Sequence, residues 1–212
     1  MKNVLYNYKH KENIEMVQTK KSGVKKKAAS KTSKAKTAKT STKNAKNIKP
    51  ETKKSKIIKL IICIIIPLLV GGLSALITGD MMSEFGKFNQ PILSPPGWLF
   101  PIAWSILYVL MGIASYCILI KKTKNKLEKE CKIAWLVIYG VQLVLNFFWS
   151  IIFFSWGMFS LALFWLLAMW VMILVLLFMA NRHSQVAMWC LFPYALWTTF
   201  AAYLNLMIMM LN

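Results

Sequence analysis

The sequence predicts an all-α membrane protein, a bundle of five transmembrane helices that follows a disordered, basic N-terminal tail. The chain is 57% hydrophobic and yet carries a formal net charge of +20. The charge is segregated, since residues 1–59 hold 19 of the 27 basic side chains and residues 133–181 hold no charged side chain. A helix needs about 20 apolar residues to cross a bilayer. Uncharged segments of this length therefore indicate repeated membrane crossings.

Residues 1–56 form the first predicted domain, a Lys-rich cytoplasmic tail composed mainly of Lys, Ala, Ser and Thr. Such a segment buries too little apolar area to offset its ordering entropy, so we expect it to be disordered. Its positive charge is expected to fix membrane topology. An electrostatic contact with anionic lipid headgroups is the alternative. Nucleic acid is not an expected partner, because the tail contains almost no aromatic side chains for base stacking.

Residues 57–212 form the second predicted domain, which begins with a span over about 57–78. Pro67 and the Gly71-Gly72 pair in this span indicate a bend and a close helix contact. A loop over residues 79–97 follows. It ends at Pro95-Pro96, which disfavours helix because each ring fixes φ and removes a backbone donor.

The other four spans are predicted over about 98–120, 133–154, 158–180 and 187–211. Pro101 is compatible with the first turn of the second span, where its missing N–H would have no partner. The loop over 121–132 is rich in lysine, Ser155-Trp156-Gly157 is read as a turn, and a short polar turn separates the last two spans.

Loop charge predicts the orientation of these spans. The tail and the loop over 121–132 are strongly basic, the first loop has a net charge of −1, the third has no charge, and the fourth carries Arg182. This alternation follows the positive-inside rule for an odd number of helices. We therefore expect the N-terminus in the cytoplasm and the C-terminus outside, in a bacterial cell membrane.

The sequence shows no residue pattern typical of a metal site or of acid–base catalysis. The four cysteines stand singly and the only histidines are His10 and His183, so neither a metal site nor a disulfide framework is predicted. Apart from Lys59 in the first turn of the first span, the spans contain no Asp, Glu, His or Lys side chain to act as a general base or nucleophile. No cofactor is expected. A redox or photochemical role for tryptophan stays open.

Three predicted helices each present a face that combines large aromatic rings with hydrogen-bonding groups. Spacings of three and four residues place these side chains together on a helix. The faces comprise Trp104 and Tyr108 in the second span, Gln142, Asn146 and Trp149 in the third, and Tyr194, Trp197, Ala201 and Asn205 in the fifth. One interpretation is that the faces only pack on one another. The other is a cavity lined by indoles that binds a flat hydrophobic ligand.

Several of these motifs resemble the tryptophan-rich sensory protein family, the bacterial relatives of the translocator protein or peripheral benzodiazepine receptor. The resemblance covers roughly residues 57–212. The motifs that carry it are Pro95-Pro96-Gly97-Trp98, Leu107-Tyr108-Val109-Leu110-Met111-Gly112, Leu145-Asn146-Phe147-Phe148-Trp149-Ser150 and Pro193-Tyr194-Ala195-Leu196-Trp197.

The resemblance implies a five-helix membrane bundle, often a homodimer, whose pocket binds porphyrins, sterols or synthetic isoquinolines and benzodiazepines. The residues it implies as ligand-binding, together with those selected from the helical faces, are Trp104, Tyr108, Asn146, Trp149, Tyr194, Trp197, Ala201 and Phe85. Phe85 stands where relatives usually have a tyrosine in the first loop. No Lys or Arg follows Tyr203, so the cholesterol motif described for the family is incomplete here.

Three functions follow as hypotheses. The first is a membrane receptor or sensor that binds a tetrapyrrole, protoporphyrin or haem, or a similar flat hydrophobic ligand. The second is an enzyme that degrades bound protoporphyrin oxidatively in light, with Trp104 and Trp197 as the catalytic residues, a chemistry implied by the resemblance. The third is a membrane-anchored scaffold that recruits partners through the basic tail. Membrane lipid and a second copy of the chain are the other expected partners.

Overall fold

The structure, a computed structural model, describes residues 52–212, apart from the side chains of residues 80–85. All regular elements in this part of the chain are helical, and five helices are long and apolar enough to cross a membrane. This confirms the predicted fold class. The five helices are α1 (Lys53–Glu84), α2 (Leu99–Ile120), α3 (Lys126–Ser150), α4 (Phe159–His183) and α5 (Gln185–Leu211). Residues 1–51 of the predicted tail lie outside the described residues.

Helix α1 begins four residues before the predicted first span. Thr52 caps it, since the Ser55 backbone N–H donates to Thr52 Oγ1 at 3.4 Å. Lysine is a good helix former, and its long side chain can carry the charge to the headgroup region. The lysines that mark the end of the tail in the sequence therefore also form the first turn of the helix. At its other end α1 continues to Glu84, beyond the predicted boundary at residue 78.

Helix α3 begins seven residues before the predicted third span, at a capping box. The Glu128 backbone N–H donates to Asn125 Oδ1 at 2.8 Å, and Glu128 Oε2 accepts a 2.7 Å hydrogen bond from the Lys124 backbone N–H. The first bond satisfies a donor that the helix N-terminus leaves unpaired, and the second fixes the residue that precedes the N-cap. The first two turns of α3 are therefore polar, in the part of the chain that the sequence analysis assigned to the loop.

The connections at the other ends of the helices are short. Helix α3 continues as a π-helical segment over Ile151–Ser155, and the chain then turns at Gly157, whose φ of 62° favours glycine. Between α4 and α5, Ser184 caps the second helix by accepting a 3.3 Å hydrogen bond from the Ala187 backbone N–H. Such tight turns place consecutive helices side by side.

The five helices surround a common core in the spatial order α1, α2, α5, α4, α3 and back to α1. Helices α1 and α2 come closest at Gly112, where a Cβ would lie 2.6 Å from Ile64 Cα and 2.8 Å from the Cys63 carbonyl oxygen. Only glycine permits this distance. Elsewhere the core consists of large side chains such as Met111, Trp135 and Tyr194, all fully buried.

Indole N–H groups connect neighbouring helices. Trp135 Nε1 donates to the Leu176 carbonyl oxygen at 3.0 Å, which joins α3 to α4, and Trp165 Nε1 donates to the Leu145 carbonyl oxygen at 2.9 Å. A polar group within the hydrocarbon region needs an internal partner because no water is available there. Three other indoles, those of Trp98, Trp156 and Trp189, are exposed near helix ends, as expected of residues at the membrane interface.

The first loop folds across the end of the bundle and contacts the C-terminus. The Asn89 backbone N–H donates to Asn212 Oδ1 at 3.0 Å, and Asn89 Nδ2 donates to the Leu211 carbonyl oxygen at 3.1 Å. Beside this contact the Phe88 ring packs edge-on against Phe159, the first residue of α4, with a centroid distance of 5.2 Å. The loop is therefore held against the ends of α4 and α5.

Candidate functional site

The described part of the chain contains a cavity of about 190 Å³ between α1, α2 and α3, in the half of the bundle next to the first loop. Aromatic rings, small residues and hydroxyl groups form its wall. The lining residues are Leu68, Gly71, Gly72, Ser74, Ala75, Thr78, Phe100, Pro101, Trp104, Ser105, Tyr108, Trp149, Ser150 and Phe154. Three predicted ligand-binding residues, Trp104, Tyr108 and Trp149, are among them.

Tyr108 occupies the space that Gly71 leaves open. A Cβ at Gly71 would overlap the Tyr108 ring, whereas a Cβ at the neighbouring Gly72 would meet no atom within 4 Å. On its other side the Tyr108 ring stacks on Trp104, with a centroid distance of 5.5 Å and an interplanar angle of 28°. The i, i+4 spacing places both rings on the same face of α2. Gly71 thus fixes the position of the ring that Trp104 stacks on.

A chain of buried hydrogen bonds continues from Tyr108 into the core. Tyr108 Oη donates to Asn146 Oδ1 at 2.6 Å, Asn146 Nδ2 donates to Tyr194 Oη at 3.1 Å, and Tyr194 Oη donates to Gln142 Oε1 at 2.8 Å. This chain connects α2, α3 and α5. Because every member is buried, each hydrogen bond fixes the orientation of the next side chain. Asn146 and Tyr194 therefore support the cavity wall from behind.

Trp104 contacts three of the other predicted aromatic residues, Tyr108, Trp149 and Tyr194. Its ring centroid lies 6.3 Å from that of Trp149 on α3 and 6.1 Å from that of Tyr194 on α5, the latter pair in an edge-on arrangement. Aromatic pairs at these distances are attractive beyond the area that they bury. Trp104 thus contacts both neighbouring faces that the sequence analysis selected, from a position on the cavity wall.

Trp197 lies in a different place. It lines an apolar groove of about 400 Å³ on the outer surface between α2 and α5, together with Ile106 and Leu196. Phe100 separates the two hollows, because it lines the cavity and also packs edge-on against Trp197 at a centroid distance of 6.0 Å. The Trp197 Nε1 is buried and has no hydrogen-bond partner among residues 52–212. The two indoles named as catalytic candidates, Trp104 and Trp197, therefore face two separate hollows and do not share one cavity.

The remaining predicted residues are not part of the cavity wall. Ala201 is buried in α5 and does not line either hollow. Phe85 begins a short 3₁₀ turn, and its side chain lies outside the described part of the structure.

Sequence reasoning missed Phe100 and the hydroxyl groups of Ser74, Thr78 and Ser105 as lining residues. The run of small and hydroxyl residues that follows Gly71-Gly72 on α1 was the available signal.

The cavity wall is aromatic and polar but uncharged. None of its lining residues is charged, and the described residues contain no cluster of three or more His, Cys, Asp or Glu side chains that could hold a metal ion. The wall offers aromatic faces, hydroxyl groups and the indole N–H groups of Trp104 and Trp149, of which the Trp149 N–H is buried without a hydrogen-bond partner among the described residues. A neutral, mostly apolar pocket with a few polar groups is typical of a site that binds a hydrophobic small molecule.

Comparison with known proteins identifies the family. The sequence model of the TspO/MBR family matches residues 63–211, which includes nearly all of the helical part of the chain. The chain belongs to the TspO/MBR family. This confirms the resemblance found in the sequence motifs, and it agrees with five helices able to cross a membrane. The protein is an integral membrane protein.

Relatives of this TspO/MBR family member come from bacteria and animals. The tryptophan-rich protein TspO of Chlorobaculum tepidum is 35% identical over 159 residues, which cover 74% of this chain and 97% of that protein. Protein CrtK of Rhodobacter capsulatus is 32% identical over 146 residues, covering 64% and 84% respectively. The translocator protein of Ovis aries is 33% identical over 129 residues, covering 61% and 75%.

Proposed function

We propose that this TspO/MBR protein is a membrane receptor or sensor that binds a flat hydrophobic ligand, a tetrapyrrole such as protoporphyrin or haem, at the cavity between α1, α2 and α3. The main observation in support of this proposal is that the cavity wall is uncharged and that Trp104 and Trp149 lie on it beside the Tyr108 ring. Indole and phenol rings provide broad faces for stacking on a planar ligand. Asn146 orients the Tyr108 hydroxyl and so contributes indirectly.

The size of the cavity defines how a tetrapyrrole would bind. Its volume of about 190 Å³ is below the roughly 300–1,000 Å³ of sites that enclose a drug-sized ligand. A tetrapyrrole would therefore insert one edge, while the rest of the macrocycle extends between α1 and α2. Gly72 and Ala75 on α1, and Pro101 and Ser105 on α2, are cavity-lining residues that are also exposed on the bundle surface. These four residues mark the opening through which the macrocycle would extend.

Titration of the purified protein with protoporphyrin tests this proposal. In phosphatidylcholine nanodiscs, with empty nanodiscs as the blank for partition into lipid, Trp104→Phe should raise the Kd about five-fold. This corresponds to roughly 1 kcal/mol, the size of one net hydrogen bond or ring contact. The matched control is Trp189→Phe, because Trp189 is exposed on α5 away from the cavity. Equal affinities of the two variants would place the porphyrin elsewhere.

The same samples address the enzyme hypothesis. If bound protoporphyrin is degraded in light through the indole, illumination should bleach its main absorbance band faster with the original chain than with Trp104→Phe. Trp104 lies on the cavity wall, where it could contact the ligand, and this observation favours it over Trp197 as the reactive indole. Bleaching at the same rate in both samples would exclude Trp104 as the reactive indole, and an unchanged rate in Trp197→Phe as well would leave only the receptor function.

We also propose that the protein lies in the cell membrane with its N-terminus in the cytoplasm. The first turns of α1, the α2–α3 loop and the α4–α5 turn lie at one end of the bundle, and this end carries every basic side chain of residues 52–212 except Lys87. The positive-inside rule assigns such an end to the cytoplasm. Homodimer formation and recruitment through the tail stay predictions from the sequence.

A further inference from the structure

We infer that Gln142 is a positioning residue that acts on the cavity from a distance, because it allows the hydroxyl group of Tyr108 to switch between accepting and donating a hydrogen bond. This inference rests on the proposed function, since it concerns how the same cavity adapts to its ligand. Three features of the structure support it: the direction of the hydrogen bonds behind Tyr108, an unpaired amide at their far end, and the fixed character of the other polar groups on the wall.

Four buried side chains form a hydrogen-bonded relay behind the cavity: Tyr108, Asn146, Tyr194 and Gln142. Every bond of the relay has the same direction, since each member donates to the next one away from the cavity. Tyr108 is the one member that lines the cavity, so a ligand meets the relay at this residue. A hydroxyl group has one hydrogen, and here that hydrogen is donated to Asn146. In this direction Tyr108 can only accept from a ligand.

The far end of the relay contains an unpaired donor. Gln142 Oε1 accepts the hydrogen bond from Tyr194 Oη at 2.8 Å, whereas Gln142 Nε2 is buried and has no hydrogen-bond partner among the described residues. The whole Gln142 side chain is buried, and a buried donor without a partner costs free energy. Such groups are rare in folded proteins and often mark a functional requirement. A second state of the relay that uses this donor accounts for its presence.

The same four side chains can bond in the opposite direction. The oxygen and nitrogen of an Asn or Gln amide exchange places when the amide turns by 180°, with almost no change in shape. With both amides turned, Gln142 Nε2 donates to Tyr194 Oη, and the Tyr194 hydroxyl donates to Asn146. Asn146 Nδ2 then donates to Tyr108 Oη, and the Tyr108 hydrogen becomes available to a ligand. Hydrogen bonds that point the same way strengthen one another, so the relay reverses as a unit.

Gln142 permits both directions because its amide carries an acceptor and a donor. A side chain with neither group would favour the observed direction. Met169 Sδ, 3.6 Å from Tyr194 Oη, could still accept the Tyr194 hydrogen. Besides Gln142, the side chains that bond the Tyr194 hydroxyl within residues 52–212 are Asn146, which belongs to the relay, and Met169, which has no hydrogen to donate. Loss of the Gln142 donor would therefore keep Tyr108 as an acceptor.

The other polar groups of the wall have a fixed character. The indole N–H groups of Trp104 and Trp149 can only donate, and the Trp149 N–H is buried without a partner among the described residues. The hydroxyl groups of Ser74 and Thr78 donate to backbone carbonyl oxygens at 3.2 and 2.9 Å and so present lone pairs to the cavity. Tyr108 is the group whose character can follow that of the ligand.

Two single-ring probes of nearly the same shape test the inference in phosphatidylcholine nanodiscs. Acetophenone has a carbonyl acceptor and no donor, and isopropylbenzene has a methyl group in place of the carbonyl oxygen. Binding is measured by saturation-transfer NMR after subtraction of the signal from empty nanodiscs. Gln142→Met should raise the Kd of acetophenone about five-fold, the factor given by one net hydrogen bond, and leave that of isopropylbenzene unchanged. Equal effects on the two probes, an unchanged Kd for acetophenone, or no binding of acetophenone to the original chain would overturn the inference.

Two further variants separate the relay from a general effect on packing. Thr198→Val removes another buried polar group, a hydroxyl on α5 that donates to the Tyr194 carbonyl oxygen outside the relay, and should leave the ratio of the two Kd values unchanged. In a Tyr108→Phe background, Gln142→Met should cause no further loss of acetophenone binding, because the group through which Gln142 acts is gone. A further five-fold loss in this background would show that Gln142 acts by another route and would overturn the inference.

The state of the Tyr108 hydroxyl can also be observed directly in the original chain. With ¹³C at tyrosine Cζ, the carbon that carries the hydroxyl group, the Tyr108 signal is identified by its loss in Tyr108→Phe. Acetophenone should shift this signal more than isopropylbenzene does, because only acetophenone reverses the hydrogen bond to Asn146, and Gln142→Met should remove the difference. Equal shifts with the two probes would mean that the relay keeps one direction and would overturn the inference.

The two proposals fail in distinguishable ways. If protoporphyrin binding depends on Trp104 while acetophenone binding is independent of Gln142, the proposed function holds and this inference fails. If acetophenone binding depends on Gln142 and protoporphyrin does not bind, the reversible relay is retained and the tetrapyrrole is rejected.

Discussion

At the scale of single residues, the cavity depends on one contact between a glycine and a ring. Gly71 leaves the space that the Tyr108 ring fills, and the ring in turn stacks on Trp104 and donates its hydroxyl hydrogen to Asn146. A helix packed against a ring at this distance has no room for a methyl group. The identity of residue 71 therefore determines where the aromatic wall of the cavity lies.

The substitution Gly71→Ala should displace the Tyr108 ring and break its hydrogen bond to Asn146. Overpacking of this kind costs about 1–3 kcal/mol, so we expect a lower midpoint of thermal unfolding in detergent and weaker protoporphyrin binding. Gly72→Ala is the matched control, because its methyl group meets no atom within 4 Å and alanine favours helix more than glycine does. If both variants unfold at the same temperature, the Gly71–Tyr108 contact does not constrain the cavity.

At the scale of elements, hydrogen bonds at the helix ends define where each span begins. The capping box of Asn125 and Glu128 starts α3 within the lysine-rich connection. Lys132 lies on the second turn of α3 and reaches back across the connection. Its Nζ donates to the carbonyl oxygens of Leu119 and Lys121 and so satisfies acceptors at the end of α2. Both arrangements match the polarity of a helix, which favours carboxylates at the N-terminus and cations at the C-terminus.

Removal of the cap should loosen the first turn of α3 without affecting the cavity. Asn125→Ala should cost about 1 kcal/mol and accelerate hydrogen exchange of the backbone amides at residues 126–129, while protoporphyrin affinity is unchanged. Thr123→Ala, an exposed substitution in the same connection, is the control and should leave exchange as it was. Unaltered exchange in Asn125→Ala would argue that the cap contributes nothing to this helix end.

At the scale of the whole molecule, an odd number of helices separates two ends of different charge. One end carries the lysines of the α2–α3 loop and Arg182, and the other carries the first loop, which is bound to the C-terminus through Asn89 and Asn212. The cavity lies in the half of the bundle next to the first loop. If the basic end faces the cytoplasm, a ligand reaches the cavity from the outer half of the bilayer.

Thiol labelling of intact cells checks this orientation. In a background in which serine replaces the four native cysteines, Ile92→Cys should react with a membrane-impermeant maleimide, since Ile92 is fully exposed in the first loop. Thr123→Cys, in the basic α2–α3 loop, should react only after the cells are permeabilised. The opposite pattern would reverse the orientation and place the cavity in the inner half.

The number of helices, their order and the charge of their ends were predictable because each depends on local sequence. Hydropathy over about 20 residues indicates a span, and i, i+4 spacing places Trp104 and Tyr108 on one face whatever surrounds them. The motifs of the loops and helices likewise indicated the TspO/MBR family, which the comparison confirmed. The early start of α3 was missed because the capping signal lay within a run of lysines that hydropathy assigns to a loop.

The tertiary structure alone decided which of these faces form the same cavity. In the sequence, Trp104 and Trp197 each lie on a helical face that combines aromatic rings with hydrogen-bonding groups. In the structure, Trp104 faces α1 and α3, whereas Trp197 lies in the groove on the outer surface between α2 and α5. Phe100 lies between the two indoles. Helical periodicity fixes which residues share a face, but the rotation of one helix about its axis relative to another depends on how all neighbouring side chains pack. That packing, at Gly71 and Gly112 above all, is a property of several helices together.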